Sequence, residues 1–548
     1  MTVVYDLIIH NGRIASASHV SDTSVWIGIC GDKITTVQSG PTPIASARQV
    51  IDARGGYITP GGVDTHVHLQ QLQVAPEDDT GDTFVSGTRS AIAGGTTTIV
   101  AFANQQRHDE SLLPLVKEYH RRAGSGGTFT DYGFHMILTK PSKKILDEEL
   151  PHLVQNEGIT SIKASRVYMT YEARRVNDRD MLEIMLRTRK LGMTLMVHAE
   201  NDDMVQLVID HLRENELTEP AHHALARTPL AEAEATNRAI CLSNLVSAPI
   251  LIVHVSSATS MARIRHAQDE LQPIFAETCP QYLLMLANAM SPGHSHGGCG
   301  CGGAPPSDPE SLPLAPSNFS EGADASTVQG RYEGAKMVCS PPLREDRSDL
   351  DAVWKGLANG TVTTFSSDHC PSRYNHPKGK KKGLVGCEAD FTKIPNGLPG
   401  VETRLPLLMT YGVEAGRISI QRFVQVCCTQ PAQLYGLQHR KGEISPGMDA
   451  DIVVWYPEGE IDEVVTNEKL HHDIDYTPFE GTRVTNWPRY TVLRGKVAYD
   501  REGQGVLGVK GEYVHRVKGT MGHEKRTETH LERISRFGEA KRLVGTRS

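Results

Sequence analysis

The chain has 548 residues, a formal net charge of −8 and 22% charged side chains. No basic stripe marks a nucleic-acid binder, and no run of about eighteen apolar residues marks a membrane span, so neither nucleic acid nor membrane is an expected partner. Ten scattered cysteines read as reduced thiols rather than a disulfide framework. The segment from Met1 lacks the basic region and small-residue cleavage site of a signal peptide, which makes cytoplasmic the expected location.

In chain order, residues 1–60 read as short strands and turns: Val3–Ile9, Asn11-Gly12, Val25–Ile29, Gly31-Asp32 and Ile34–Val37. From 61 to about 440, short apolar runs alternate with longer helical stretches. Thr97–Ala103 precedes Ser111–Arg122, Gly133–Leu138 precedes a helix near Lys144–Gln155, and Met193–His198 precedes Asp202–Asn215. This alternation predicts parallel βα units and, at this length, an α/β fold built on a (β/α)8 TIM barrel. Strands return over 441–510, at Asp451–Trp455 and Tyr490–Leu493, so the two chain ends are expected to form one small β-sandwich domain. Residues 511–548 read as a C-terminal tail, polar and slightly basic from His523 on: a disordered tail or an arm laid on a neighbouring subunit.

The barrel segment carries an insertion near 291–329, rich in Gly, Pro and Ser, which is too polar to order itself and reads as a flexible loop. Its His294, His296, Cys299 and Cys301 do not follow the spacing of zinc modules, and adventitious binding or none is the expectation.

The chemistry gathers at the ends of the apolar runs. His66 and His68 in Asp64-Thr-His-Val-His68 lie one residue apart on an extended segment and therefore point the same way, as a chelating pair does. His198, His254 and Asp368 each end their own strand-like run, where a parallel barrel places its active site. Four imidazoles and a carboxylate suit zinc, with manganese, cobalt or nickel also compatible. Five ligands over-serve one tetrahedral ion and under-serve two, so a bridging anion is missing. Lys163 in Thr160-Ser-Ile-Lys163 fits that gap as a carbamate, because a free ammonium cannot sit between two dications.

The motifs Gly61-Gly-Val-Asp-Thr-His-Val-His68, Gly94-Gly-Thr-Thr97, Thr160-Ser-Ile-Lys163, Val197-His-Ala-Glu200, Ile252-Val-His-Val-Ser256, Glu277-Thr-Cys-Pro-Gln-Tyr282, Val338-Cys-Ser-Pro-Pro-Leu-Arg344, Ser367-Asp-His-Cys-Pro371, Ile394-Pro-Asn-Gly397 and Gly447-Met-Asp-Ala-Asp-Ile452 occur in one order over residues 1 to about 510. In this the chain resembles the cyclic-amide hydrolase branch of the amidohydrolase superfamily, the dihydropyrimidinases and D-hydantoinases.

The resemblance implies a binuclear metal hydrolase that opens dihydrouracil, dihydrothymine and hydantoins to N-carbamoyl amino acids. It implies two divalent ions, most simply Zn2+, an N6-carboxylated Lys163, and a homotetramer or homodimer. His66, His68, Lys163 and Asp368 would hold one ion, and Lys163, His198 and His254 the other. Asp368 would also pass a proton from the attacking water to the leaving nitrogen. Ser340 and Asn396 match positions whose backbone groups hold the imide edge of the ring, –CO–NH–CO–.

In the family that the chain resembles, a tyrosine shortly after the lysine supplies the oxyanion donor. Tyr168 has the family spacing, whereas Tyr171 has the family context, as if three residues were inserted, and Tyr171 is favoured. Leu72 and Val74, in a rather polar first barrel loop, fall where the family lines the pocket for the ring substituent, and favour small dihydropyrimidines. His369 would point away from Asp368 and is not counted as a ligand. Two other readings stay open: an allantoinase or other cyclic imide or amide hydrolase, and a non-catalytic scaffold of the same fold. The six ligand positions argue against the scaffold.

Overall fold

The computed structural model describes residues 4–71, 80–165, 176–291, 324, 326–386, 388–522 and 532–536. The chain opens with five strands, β1 (Tyr5–His10), β2 (Arg13–Ile14), β3 (Val25–Cys30), β4 (Lys33–Ser39) and β5 (Ala47–Asp52), followed by β6 (Tyr57–Pro60). Next come β7 (Gly62–Val67), β8 (Thr96–Asn104), β9 (Asp131–Leu138), β10 (Ser161–Ser165), β11 (Thr194–His198), β12 (Ile250–Ile252), β13 (Ile274–Thr278) and β14 (Thr364–Phe365). These eight form one parallel sheet in sequence order. The sheet closes on itself just past β14, where Val67 bridges His369 and His68 N donates to His369 O at 2.8 Å. The result is a (β/α)8 barrel.

Both faces of these strands are buried, as a parallel sheet under helices requires. Ile99, Ala101, Phe134, Met136, Ile162, Leu195, Val197, Ile250 and Ile252 belong to the large core under the helices. Phe102, Ile137, Met196, Leu251 and Val253 form a second cluster with Leu434 and Tyr435. The helices start on caps already visible in the sequence: Thr83, Asn177, Asn201, Thr228 and Ser257 each accept a backbone N–H of the first turn.

After a hairpin of β15 (Leu384–Val385) and β16 (Glu388–Ala389), the chain adds β17 (Ile452–Trp455), β18 (Glu463–Val464), β19 (Arg483–Val484), β20 (Pro488–Leu493), β21 (Lys496–Asp500) and β22 (Gly505–Val506). One sheet has the order β4-β3-β1-β5 and a second the order β2-β6-β17-β20-β21-β22. Leu7, Ile27 and Ile29 of the first pack with Ile58, Ile452 and Val492 of the second. The sandwich therefore draws strands from both ends of the chain.

Past β22 the chain does not leave the barrel. Tyr132 N donates to Glu512 O and Val514 N to Tyr132 O, while Val517 N donates to Gly436 O. The Arg516 side chain enters from the strand-start end to reach Ser161 Oγ at 2.9 Å and Phe134 O. Residues 511–518 so form part of the barrel floor. From His523 on only 532–536 are described, and there Glu532 pairs with Arg189 at 2.8 Å. Most of the 291–329 insertion lies outside the described residues. Its end is more ordered than the loop reading held, since Thr327 caps a helical turn, Val328–Arg331. No described helix is long and apolar enough to cross a membrane.

Candidate active site

The strand ends deliver the expected residues to one place. His66 lies on β7 with His68 just after it, Lys163 on β10, His198 at the end of β11, His254 two residues past β12 and Asp368 three past β14. His66 Nε2 approaches Asp368 Oδ1 at 3.0 Å and His68 Nε2 approaches the same oxygen at 3.5 Å. Lys163 Nζ is 2.7 Å from His66 Nε2. His198 Nδ1 faces His254 Nε2 at 2.9 Å. Ligand atoms of His66, His254 and Asp368 all lie within 4.8 Å of one another. Phe102 supports the group, with its ring centroid 4.9 Å from that of His66, 4.6 Å from that of His68 and 4.6 Å from Lys163 Nζ. His254 and Asp368 both adopt left-handed backbone, with φ of 39° and 47°. Such strain in non-glycine residues persists where the surroundings impose it, and it gathers at functional sites.

A second layer sets the tautomers. His66 Nδ1 lies 2.5 Å from Glu277 Oε1, and His198 Nε2 lies 2.8 Å from Glu200 Oε2. Each carboxylate holds the ring proton on its own side, leaving the lone pair of the other nitrogen turned inward. The Gln71 amide sits 2.5 Å from His68 Nδ1. Arg227 pairs with Glu200. Burial drives His68 down to about 3 and lowers His198 and His254 as well. Burial opposes ionisation of Asp368, but His66 and His68 override it and hold the carboxyl well below its usual range.

Imidazole nitrogens, the Lys163 amine and one carboxylate thus meet in a single buried space. Imidazole nitrogens beside a carboxylate are the donor set that divalent metals bind. The residues present fit a metal centre.

Of the other expected residues, Ser340 and Asn396 lie on two loops joined by Gly397 N donating to Val338 O at 3.1 Å. Ser340 Oγ and Asn396 Oδ1 are buried and have no hydrogen-bond partner among the described residues. The Asn396 loop runs beside Asp368, because Cys370 N donates to Leu398 O at 3.0 Å. Tyr168, Tyr171, Leu72, Val74, His294, His296, Cys299 and Cys301 lie outside the described residues. His369 turns away, as expected: its Nε2 meets Asp82 Oδ2 at 3.0 Å and its Nδ1 accepts from Gly400 N at 3.1 Å.

The sequence reading passed over Glu200, Glu277 and Gln71. Glu200 had a signal, two residues after His198 in extended chain and so on the same side. Glu277 had none, because its partner His66 is 211 residues away.

A model of the amidohydrolase family matches residues 57–498. The chain is 36% identical over 516 residues to D-hydantoinase of Ralstonia pickettii, spanning 94% of this chain and 99% of that one. The crystal structure of dihydropyrimidinase from Brevibacillus agri NCHU1002 superimposes with a TM-score of 0.79 at 34% identity, over 93% of this chain and 99% of that one. An L-hydantoinase (dihydropyrimidinase) from Arthrobacter aurescens superimposes at 0.77 with 26% identity, over 94% of this chain and all of that one. Relatives named for opposite stereochemistry share this fold, so the fold alone does not set handedness.

Proposed function

The chain belongs to the amidohydrolase family, and from that membership we propose that it hydrolyses the cyclic amide of 5,6-dihydropyrimidines and hydantoins, giving N-carbamoyl amino acids. The observation that carries this reading is the convergence of His66 Nε2, His254 and Asp368 within 4.8 Å, in a chain that spans nearly the whole length of hydantoinase relatives. His66, His68, Lys163 and Asp368 would hold one divalent cation, and Lys163, His198 and His254 the other. We propose Zn2+ for both and an N6-carboxylated Lys163 as the bridge. Bound there, such ions supply an activated water at neutral pH and polarise the ring carbonyl.

The side chains do the rest. Asp368, held ionised, accepts a proton from the attacking water and returns it to the leaving ring nitrogen, so one carboxylate serves as base and then acid. Ser340 and Asn396 hold the imide edge through their backbone groups. Tyr171, or Tyr168 at the family spacing, donates to the developing oxyanion. The proposal extends to a division into 1–60 and 441–510 as sandwich and 61–440 as barrel, with 511–518 joined to the barrel floor, and to a cytoplasmic homotetramer or homodimer.

The test is ultraviolet loss of dihydrouracil and hydantoin, with allantoin alongside, by zinc-loaded protein grown with bicarbonate and by Lys163→Ala. Ring loss that disappears in Lys163→Ala is the expected result. Opening of allantoin alone would move the substrate to another ring, and silence with two metals bound would reject all three.

A further inference from the structure

Beneath the proposed imide-binding loops lies a lysine that the proposed chemistry does not use. The stretch Lys378-Gly-Lys-Lys-Lys382 holds four lysines; Lys378 and Lys382 are exposed, while Lys380 is 0% exposed. No described carboxylate pairs with Lys380. Its Nζ donates instead to two backbone carbonyls, Val338 O at 2.8 Å and Pro395 O at 2.7 Å. Burial pushes Lys380 down to about 7, and a buried amine answered among the described residues by carbonyls is costly to keep. A Met of similar length would fill the space without that cost, so filling space does not account for the choice of residue.

The carbonyls it holds lead to Ser340 and Asn396. Pro395 C=O belongs to the same planar peptide unit as Asn396 N–H, so fixing one end fixes the direction of the other. Val338 O also accepts from Gly397 N at 3.1 Å, so Lys380 sits at the joint between the two loops. A second buried donor acts on the other loop: His223 Nε2 lies 2.8 Å from Cys339 O, in the peptide unit that carries Ser340 N–H. Burial keeps His223 neutral, pushed down to about 3, so one ring N–H remains for that bond. Lys380 is itself anchored, since Tyr332 Oη donates to its carbonyl at 2.8 Å.

We propose that Lys380 is a positioning residue for the ring substrate, its ε-amino group clamping together the two loops whose Ser340 and Asn396 receive the imide edge. This rests on the roles given to Ser340 and Asn396 above. Lys380 touches no reacting atom; it sets the direction of groups that do.

Full-length, metal-loaded wild type, Lys380→Met and Lys380→Gln are compared for metal content, melting temperature, kcat and KM on hydantoin and dihydrouracil. Lys380→Gln keeps a donor and is the milder change, so it carries the test if Lys380→Met does not fold. The expected result is unchanged metal content, kcat within about threefold, and KM raised about tenfold to a hundredfold in Lys380→Met with a smaller rise in Lys380→Gln. Folded variants with wild-type KM would overturn the proposal. So would a joint fall of metal content, melting temperature and kcat, or failure of both variants to fold, because each assigns Lys380 to stability alone. A wild type that opens neither ring would sink the functional reading and this inference with it. Wild-type turnover beside an unmoved KM sinks only the inference.

Discussion

Both ends of the barrel bury charge, and they treat it in opposite ways. Near the floor, Lys441 Nζ is enclosed by Asp131 at 2.5 Å, Asp449 at 2.8 Å and Asp451 at 2.7 Å, with Arg440 on Asp449 at 2.9 Å and Arg494 on Asp131. Every carboxylate there meets a cation, and the cluster ties the start of β9 to the turn before β17. At the mouth, imidazole lone pairs and the Asp368 carboxylate converge on each other. A cluster that pairs each carboxylate with an ammonium or guanidinium is structure; a cluster of imidazoles around one carboxylate is a set of metal donors. Burial is the same at both ends, so burial alone does not mark the active site, but charge balance does.

The sharpest break in this comparison should come from single changes at each end. Asp368→Asn removes the proposed proton carrier and is expected to cut kcat/KM on hydantoin by about 10²–10⁴-fold. The change in melting temperature should be slight, because asparagine keeps the shape of the side chain and can still hydrogen-bond His66 and His68. Lys441→Met should do the reverse. Asp451 left without its cation, and Asp131 and Asp449 with one fewer, are expected to cost about 3–5 kcal/mol of stability, read as a lower urea midpoint, while activity per folded molecule stays at the wild-type level. A stable Lys441→Met, or a grossly unstable Asp368→Asn, would erase the distinction.

The same contrast explains how much was legible beforehand. The barrel strands were readable because both faces are buried, which leaves continuous runs such as Thr96–Asn104. His66 and His68 were readable because two-residue periodicity is local. Glu277 and Arg404 were not, because the partners they meet, His66 and Asp64, lie far away in sequence and come together only when the barrel closes. Arg516 was hidden for a different reason. Glu512-Tyr-Val-His-Arg-Val-Lys518 looks like a polar tail, and its arginine is buried only because the barrel floor offers Ser161 Oγ and the Phe134 carbonyl. Local pattern reports the element, while the pairing of charges at its ends is settled by the closed fold.

Glu277→Gln probes the layer between the two ends. Glutamine can still approach His66 Nδ1 but no longer draws its proton with a full charge. Metal affinity, measured by competition with a chelator, is expected to fall about 10–100-fold with the fold intact. Unchanged affinity would mean that His66 is oriented by the barrel alone.

The smallest effect concerns Asp82, beside the mouth yet balanced like the floor. Burial would raise its pKa, but the His369 imidazole and neighbouring groups prevail and hold it at about 2, against 3.8 for a free aspartate. A depressed folded pKa contributes stability above 3.8 that is lost as pH falls through about 2, on the order of 2 kcal/mol in all. Asp82→Asn should therefore be less stable than wild type at pH 6, and the gap should narrow below pH 4 and vanish near pH 2. A gap that stays constant with pH would mean that Asp82 contributes through its hydrogen bonds to Ser86 and Asp473 N and not through its charge. In that case the self-neutralising class would stop at the floor, and the mouth would be built on hydrogen bonds and metal ligands alone.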